Sequence, residues 1–520
     1  VKFVYISLVV VLVAACTQSP GNKFSNAEII TIALLQDKRQ SDSLILYLTH
    51  ENPVYRKEAA LAFTSVQDTT AAEALGKLLL TDAEPSVREA AALALGQTTC
   101  NESERLLVGS LSVEKESNVL REVLEAIGKV ASPQNAPSLA SFLPADSIAE
   151  QGKAWGLYRL GLRRITDTTL VNVAYGLLAS QNTNTRLAIA HFFARTNVKD
   201  FTDEKGLLRK AASDTDVFVR TAATSGLRNV KTDSSRLLLQ KNAKDTDERV
   251  RVSAVRALRS FAFADVQETF FTALTDASLQ VQVASAEALN NFATVESVTE
   301  IVDAAERATS WRVQSTLYEV AAVLAPTPEL FQAIQAKYNA SFDSYHKAAL
   351  LNVLGRSATN ASFIGNALVD NTDPILLSSA ATSLASCNSA SDFSEKEKPA
   401  FFQWYKMAIE KGDAAVTGII AQVLGDSTKK YKPLITDVSF LKEARNKLSL
   451  PKDNESIQPL EAAIAYLEGK EAVPVQNDFN HPIDWAFVKT ISQNQKAIIK
   501  TTKGNITLQL IVNEAPGSVA

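Results

Sequence analysis

Cysteine and histidine are scarce in this chain of 520 residues. The 3 cysteines, Cys16, Cys100 and Cys387, form no even, closely spaced set, which argues against a disulfide framework. No cysteine pair has zinc-ligand spacing, and the 4 histidines form no H-E-x-x-H motif. We therefore predict no metal, no cofactor and no catalytic residue within the chain. Cys100 and Cys387 are interpreted as buried small residues.

Glycine, proline and net charge are also modest. The 19 glycines and 16 prolines form neither a long low-complexity linker nor a glycine-rich phosphate loop, and no G-x-S-x-G motif occurs. A net charge of -4 provides no basic stripe, which argues against a nucleic-acid partner. A chain of this length is expected to form several domains or a repeat array.

The beginning of the chain is unusually apolar. An apolar run from Phe3 to Ala15 follows Lys2. The run is too short to span a bilayer as a helix, and it matches the core of a signal peptide. The sequence therefore predicts a signal peptide over residues 1–15.

The end of this run, Val-Ala-Ala-Cys at 13–16, resembles the bacterial lipobox. The resemblance implies that Cys16 carries lipid and that residues 16–26 tether a body to a membrane. Thr17, and not an acidic residue, follows Cys16. By the usual sorting rule for such lipoproteins, this implies a location in the outer membrane, facing the periplasm. The alternative is a plain secretory signal with an incidental cysteine.

A repeat runs through the middle of the chain. The copies include NPVYRKEAALAF (52–63), AEPSVREAAALALG (83–96), ESNVLREVLEAIG (116–128), DTDVFVRTAATSGL (214–227) and DTDERVRVSAVRAL (245–258). Their arginines align, 31–33 residues apart between neighbouring copies. Each copy has the apolar spacing of an amphipathic helix, and a second helical pattern lies between copies. Two helices per repeat predict an all-α fold, an α-solenoid over residues 27–468.

These residues resemble the HEAT-repeat family. In that family an aspartate in the turn and an arginine on the second helix form a ladder along the stack. Three pairs match this pattern: Asp82/Arg88, Asp214/Arg220 and Asp245/Arg251. Gln282 replaces the arginine after Asp276, so the ladder is expected to weaken there. A guanidinium can satisfy turn carbonyls and a carboxylate together, so we interpret these residues as structural.

A solenoid of this kind offers an extended surface to protein partners. Six aromatic residues are candidates for that surface because aromatics are enriched at binding hot spots: Trp155, Tyr158, Trp311, Tyr318, Trp404 and Tyr405. Filling the core between repeats is an equal alternative for each of them. A lyase built on the solenoid is a third reading, which would need a bound pigment or a reactive thiol.

The last residues change pattern. Pro474 and Pro482 bracket a polar stretch, and residues 469–495 are predicted to be a linker. Residues 496–501 and 506–511 alternate as β-strands around a predicted tight turn at Lys503-Gly504-Asn505. Pro516 then marks the first turn of a helix.

This stretch, 496–520, resembles the beginning of a cyclophilin-type peptidylprolyl isomerase. The matching residues are Thr501, Gly504, Ile506, Leu508, Leu510, Glu514, Ala515, Pro516 and Val519. The resemblance implies the opening hairpin of an incomplete β-barrel. In that family the catalytic arginine and the proline pocket follow later in the chain, so no catalytic role falls on any residue here, and the chain is expected to be truncated.

The sequence thus predicts an envelope lipoprotein, lipid-anchored at the outer membrane, with a protein-binding solenoid and an isomerase module acting in protein folding. Its expected partners are proteins on the solenoid and, if the isomerase is complete, proline-containing polypeptides. A non-enzymatic scaffold is the alternative.

Overall fold

The structure, a computed structural model, describes residues 21–196, 198, 201–475 and 482–520. The predicted signal peptide and Cys16 lie outside the described residues. The described residues form two compact units, one between residues 21 and 174 together with 482–520, and the other between residues 175 and 475. In the part of the chain that the structure describes, both units are helical, apart from one two-stranded sheet in the C-terminal segment.

The helices of the first unit, up to the unit boundary, are α1 (Ala27–Asp37), α2 (Ser41–Tyr47), α3 (Pro53–Val66), α4 (Ala72–Thr81), α5 (Pro85–Thr98), α6 (Asn101–Ser110), α7 (Ser117–Val130), α8 (Ala136–Ser141), α9 (Ser147–Leu162) and α10 (Thr168–Leu177). Successive helices form hairpins, and the second helices α3, α5, α7 and α9 pack side by side.

The second unit continues with α11 (Thr183–Arg195), α12 (Leu207–Ala211), α13 (Val217–Gly226), α14 (Asp233–Asn242), α15 (Glu248–Leu258), α16 (Phe263–Ala273), α17 (Leu279–Leu289), α18 (Val298–Arg307) and α19 (Trp311–Leu324). It ends with α20 (Pro328–Ala340), α21 (Ser344–Leu354), α22 (Ala361–Asp370), α23 (Pro374–Cys387), α24 (Lys398–Lys411), α25 (Ala414–Gly425), α26 (Ser439–Asn446) and α27 (Asn454–Glu468). The odd-numbered helices from α11 to α27 again pack as neighbours.

Local chemistry explains where the second helices begin. α5 begins at Pro85, whose missing N–H is harmless in the first turn. The Asp216 carboxylate accepts from the N–H groups of Phe218 and Val219 and so caps α13. Along α5, Val87, Ala91 and Leu95 are completely buried, as the helical spacing predicts. The predicted all-α solenoid is confirmed.

Helices α7 and α9 approach each other unusually closely. A Cβ atom placed on Gly128 would lie 2.2 Å from the carbonyl oxygen of Gly156. A Cβ on Gly156 would lie 2.3 Å from the carbonyl oxygen of Leu124. The two backbones therefore touch at these glycines, and no side chain fits between them.

The C-terminal segment contains α28 (Trp485–Val488), β1 (Lys496–Thr501), β2 (Gly504–Gln509) and α29 (Pro516–Val519). The strands pair antiparallel, with Lys496 opposite Gln509 and Thr501 opposite Gly504. The predicted hairpin is confirmed, but its turn is Thr502-Lys503 and not Lys503-Gly504-Asn505. Gly504 adopts a φ of +126°, which glycine tolerates, and so it pairs with Thr501 directly after the turn. The Thr501 hydroxyl closes the turn by donating a hydrogen bond to the Gly504 carbonyl oxygen at 2.7 Å.

Candidate protein-binding surface

The ladder aspartates lie in the turns that join the two helices of a hairpin, and the ladder arginines lie in the first turns of the second helices. Arg220 shows their geometry. Its Nη1 donates to the carbonyl oxygen of Asp214 at 2.7 Å, while Nε and Nη2 donate to the Asp245 carboxylate at 3.0 and 3.3 Å. Each arginine therefore binds the main chain of its own turn and the carboxylate of the next turn. In a predicted pair such as Asp214/Arg220, the arginine therefore binds the main-chain carbonyl of the aspartate and not its side chain.

Other arginines repeat this arrangement. The ion pairs are Arg56 with Asp82, Arg88 with Glu114, Arg186 with Asp214 and Arg251 with Asp276. Gln282 donates to the carbonyl of Asp276 at 2.6 Å, the bond that an arginine would make, and its neutral amide adds no ion pair. Glu114, which the aspartate pattern did not include, takes the place of an aspartate.

The ladder carboxylates are held ionised. Burial alone would raise the pKa of Asp245, but hydrogen bonds from Arg220 and from the Asp247 N–H outweigh it and lower the pKa. The same balance, with Arg186 as the donor, lowers the pKa of Asp214. These carboxylates are already paired with ladder arginines. The ladder therefore orders the turns and offers few unpaired charges to a ligand.

A polar groove of about 690 Å³ lies beside the ladder in the second unit. Gln240, Lys244, Glu268 and Thr272 line it, together with Arg251. Its lining offers hydrogen-bonding groups and charges of both signs. This favours a polar ligand such as a peptide main chain over an apolar small molecule.

The six aromatic candidates divide between core and surface. Tyr318 and Tyr405 are completely buried, and the Tyr318 hydroxyl is bonded to Glu306. Trp404 is half-buried, with its ring over Gly365. Trp155 and Tyr158 are half-buried on α9, with ring centroids 5.5 Å apart. Trp311 lies at the start of α19, beside an exposed aromatic group.

That group occupies the N-terminal ends of second helices in the second unit and, with Phe342, the turn before α21. We call it the aromatic edge: Phe218, Arg249, Trp311, Arg312, Phe342 and Tyr345. Phe342 is fully exposed, Tyr345 is 61% exposed and Phe218 is 54% exposed. The sequence did not predict Phe218, Phe342 or Tyr345 as binding residues. The repeat spacing could have revealed Phe218 and Tyr345, because both are the second residue of a second helix.

Three of the four rings in the aromatic edge, those of Phe218, Trp311 and Tyr345, contact other members of it. The Arg249 guanidinium lies 4.8 Å from the centroid of the Phe218 ring, and that of Arg312 lies 5.2 Å from the Trp311 ring. The rings of Trp311 and Tyr345 are 6.4 Å apart and inclined by only 15°. Aromatic rings beside arginine are the composition of protein-binding hot spots.

The C-terminal segment packs against the beginning of the first unit. The buried Asn22 amide donates to the carbonyl oxygens of Val488 and Ile491 at 2.6 and 2.8 Å. Phe24 contributes to a small apolar cluster with Val488 and Val512. Residues 22–24, predicted as part of a tether, and 488–491, predicted as part of a linker, are thus joined in one interface.

Replacing Asn22 by alanine should loosen this interface. The change removes two hydrogen bonds to buried carbonyl groups, worth about 2 kcal/mol together, so the undocked fraction of the segment should rise about thirtyfold. Hydrogen exchange at residues 485–491 measures this fraction. Gln493→Ala is the matched control, because Gln493 is exposed and bonds only the Gly21 carbonyl at 3.3 Å; equal exchange in both variants would contradict the interface.

The two thiols in the described residues make hydrogen bonds. Burial raises the pKa of the Cys387 thiol to about 12, and the thiol donates to the Ser357 carbonyl. Cys100, predicted to be buried, is half-buried and caps α6 by accepting from the Ser103 N–H at 3.4 Å. Within the described residues, no cluster of potential metal ligands occurs, and no helix has the length and apolarity to cross a membrane.

Comparisons with known proteins agree with this architecture. The family model for HEAT repeats matches residues 13–96, 41–111, 72–155 and 235–322. A crystal structure of importin β is similar over 82% of this chain and 66% of its own, with a TM-score of 0.53 and 13% identity. The chain thus spans somewhat less than two thirds of that importin.

A second similar structure is the Kap95:Nup1 complex. It matches 82% of this chain and 67% of its own, with a TM-score of 0.51 and 14% identity. Identities this low show the fold alone. No curated protein matches the sequence. In the part that the structure describes, the chain is therefore an α-solenoid that ends in a β-hairpin segment, and its match to the HEAT-repeat model covers residues 13–155 and 235–322.

Proposed function

We propose that this chain is a protein-binding scaffold and that the aromatic edge is where its solenoid holds a polypeptide. The observation that carries the proposal is the full exposure of Phe342 next to the exposed Tyr345. Large apolar rings cost free energy in water, and burying them against a partner recovers about 25 cal/mol per Å². The Kap95:Nup1 structure is a complex of a solenoid of this fold with another protein, which supports a polypeptide as the ligand.

Affinity capture with matched variants tests this function. The double variant Phe342→Ser/Tyr345→Ser should lose proteins that the wild-type chain retains from its own cells. Leu143→Ser is the control, because Leu143 is 87% exposed and belongs to the first unit, whereas the aromatic edge belongs to the second. Capture of the same proteins by wild type and the double variant would overturn the proposal.

We further propose that the scaffold belongs to an outer-membrane lipoprotein with a cyclophilin-type isomerase module. The lipobox-like residues before Cys16 support the anchor, and the order of strands, turn and Pro516 supports the module. Ile498, Ile499, Ile506 and Leu508 are 42–61% exposed on the hairpin, as expected of strands that pair within a larger sheet. Proline-containing polypeptides would then be substrates, with X-Pro isomerisation as the reaction.

The mass of the native protein in its membrane fraction tests this second proposal. A lipid-labelled species well above 56.2 kDa, with isomerase activity, is the expected result. Cys16→Ser should abolish the lipid label and release the protein from the membrane. A species at or below that mass without isomerase activity would leave the scaffold as the only function.

A further inference from the structure

Four residues of the aromatic edge follow the repeat of the solenoid. Phe218, Arg249, Gln280, Arg312 and Tyr345 are each the second residue of successive second helices, α13, α15, α17, α19 and α21. These helices pack as neighbours, so the five side chains form one row across their N-terminal ends. Ring and guanidinium groups occupy four of the five positions. A ligand that uses this row must therefore be extended.

The spacing of the row selects a conformation for that ligand. Packed helices lie about 8–10 Å apart. A polyproline II segment has three residues per turn and rises about 3.1 Å per residue, so the same face recurs about every 9 Å. Such a segment laid across the helix ends presents one residue of its face to each helix. Proline rings and exposed aromatic rings are complementary, as in other proline-rich recognition sites.

The charge of the row selects a side chain. Arg249 is paired with the Asp247 carboxylate at 2.7 Å. Arg312 is exposed and, among the described residues, pairs with no carboxylate. The neighbouring Asp343 carboxylate is engaged by the N–H groups of Tyr345 and His346. The unpaired guanidinium therefore favours an acidic residue in the ligand.

We infer that the aromatic edge binds an extended, proline-rich segment of a partner protein that carries acidic side chains. The proline rings pack on Trp311, Phe342 and Tyr345, and a carboxylate of the segment pairs with Arg312. This inference rests on the proposed scaffold function and specifies its ligand. A flexible acidic segment and a basic proline-rich segment are the competing ligands that the experiment separates.

Fluorescence anisotropy with three labelled peptides of equal length tests the inference on the full chain. The peptides repeat Pro-Pro-Glu, Gly-Ser-Glu or Pro-Pro-Lys. We expect the Pro-Pro-Glu peptide to bind at least about tenfold more tightly than either of the others. Phe342→Ala/Tyr345→Ala should weaken its binding about tenfold or more, whereas Leu143→Ala should not change it. Arg312→Glu should remove the preference for glutamate over lysine.

Any one of three results would overturn the inference. Equal affinity for the Pro-Pro-Glu and Gly-Ser-Glu peptides would mean that charge alone is recognised. Binding of Pro-Pro-Glu that survives Phe342→Ala/Tyr345→Ala would place the ligand elsewhere. If no peptide binds while protein capture still depends on Phe342 and Tyr345, the ligand chemistry is wrong and the scaffold function stands. If no peptide binds and protein capture does not depend on Phe342 and Tyr345, the scaffold function is overturned as well.

Discussion

Replacing Gly128 by alanine is expected to destabilise the first unit by about 3 kcal/mol. The three atoms nearest the added Cβ all belong to the Gly156 backbone, at 2.2–2.7 Å, so no side-chain rotation relieves the overlap. Helices α7 and α9 must move apart, and the contacts along their length weaken. Urea unfolding followed by circular dichroism should show a lower midpoint, and hydrogen exchange should locate the loss in α7 and α9.

Gly109→Ala is the matched control for this prediction. Gly109 lies in α6, and apart from its chain neighbours and the nearby backbone of α6 no atom comes within 4 Å of a Cβ built there. Alanine is a better helix former than glycine, so this variant should gain about 0.5–1 kcal/mol. An unchanged midpoint for Gly128→Ala would mean that the two helices do not touch at their backbones.

Removing a ladder arginine should have a comparable cost in the second unit. Nε and Nη2 of Arg251 both bind the Asp276 carboxylate at 2.8 Å, and Nη1 binds the Asp245 carbonyl at 2.9 Å. Both side chains of the ion pair are only 15% exposed. Arg251→Ala leaves a largely buried carboxylate without its cation, so we expect a loss of about 3 kcal/mol in the urea-derived free energy of unfolding.

Two further variants show which bond matters. Arg251→Gln can keep the bond to the Asp245 carbonyl, as Gln282 does to Asp276, so it should recover part of the loss. Arg256→Ala removes an arginine whose side chain is 63% exposed and whose contact with Glu287 is 3.5 Å long, so its effect should stay below about 0.5 kcal/mol. Equal effects for Arg251→Ala and Arg256→Ala would show that the ladder does not stabilise the stack.

Helical periodicity and repeat spacing predicted the fold because both depend on residues close in sequence. The carboxylate partners in the ladder are harder to predict from the sequence. A spacing of six places Arg220 on the carbonyl of Asp214, but its carboxylate partner, Asp245, is 25 residues away and depends on how two hairpins stack. Glu114 shows that the partner also varies in type, so a pattern written for aspartate overlooks it.

The proposed binding surface was predicted only in part. Residue type alone could not separate Trp311 from the buried Tyr318, because an aromatic side chain suits both a core and an interface. Aligning the second helices by residue position would have shown that Phe218 and Tyr345 occupy the same position of the repeat. The contact of Asn22 with Val488 joins residues 466 positions apart and leaves no local pattern to read.

Photo-crosslinking in the cells that make the protein tests the central claim most directly. A photoreactive residue placed at position 342 or 345 should attach to another polypeptide, while one at position 143, of similar exposure in the first unit, should not. The crosslink should disappear when Arg312 and Trp311 are also replaced by alanine. Equal crosslinking from position 143, or none from position 342, would contradict a binding site at the aromatic edge.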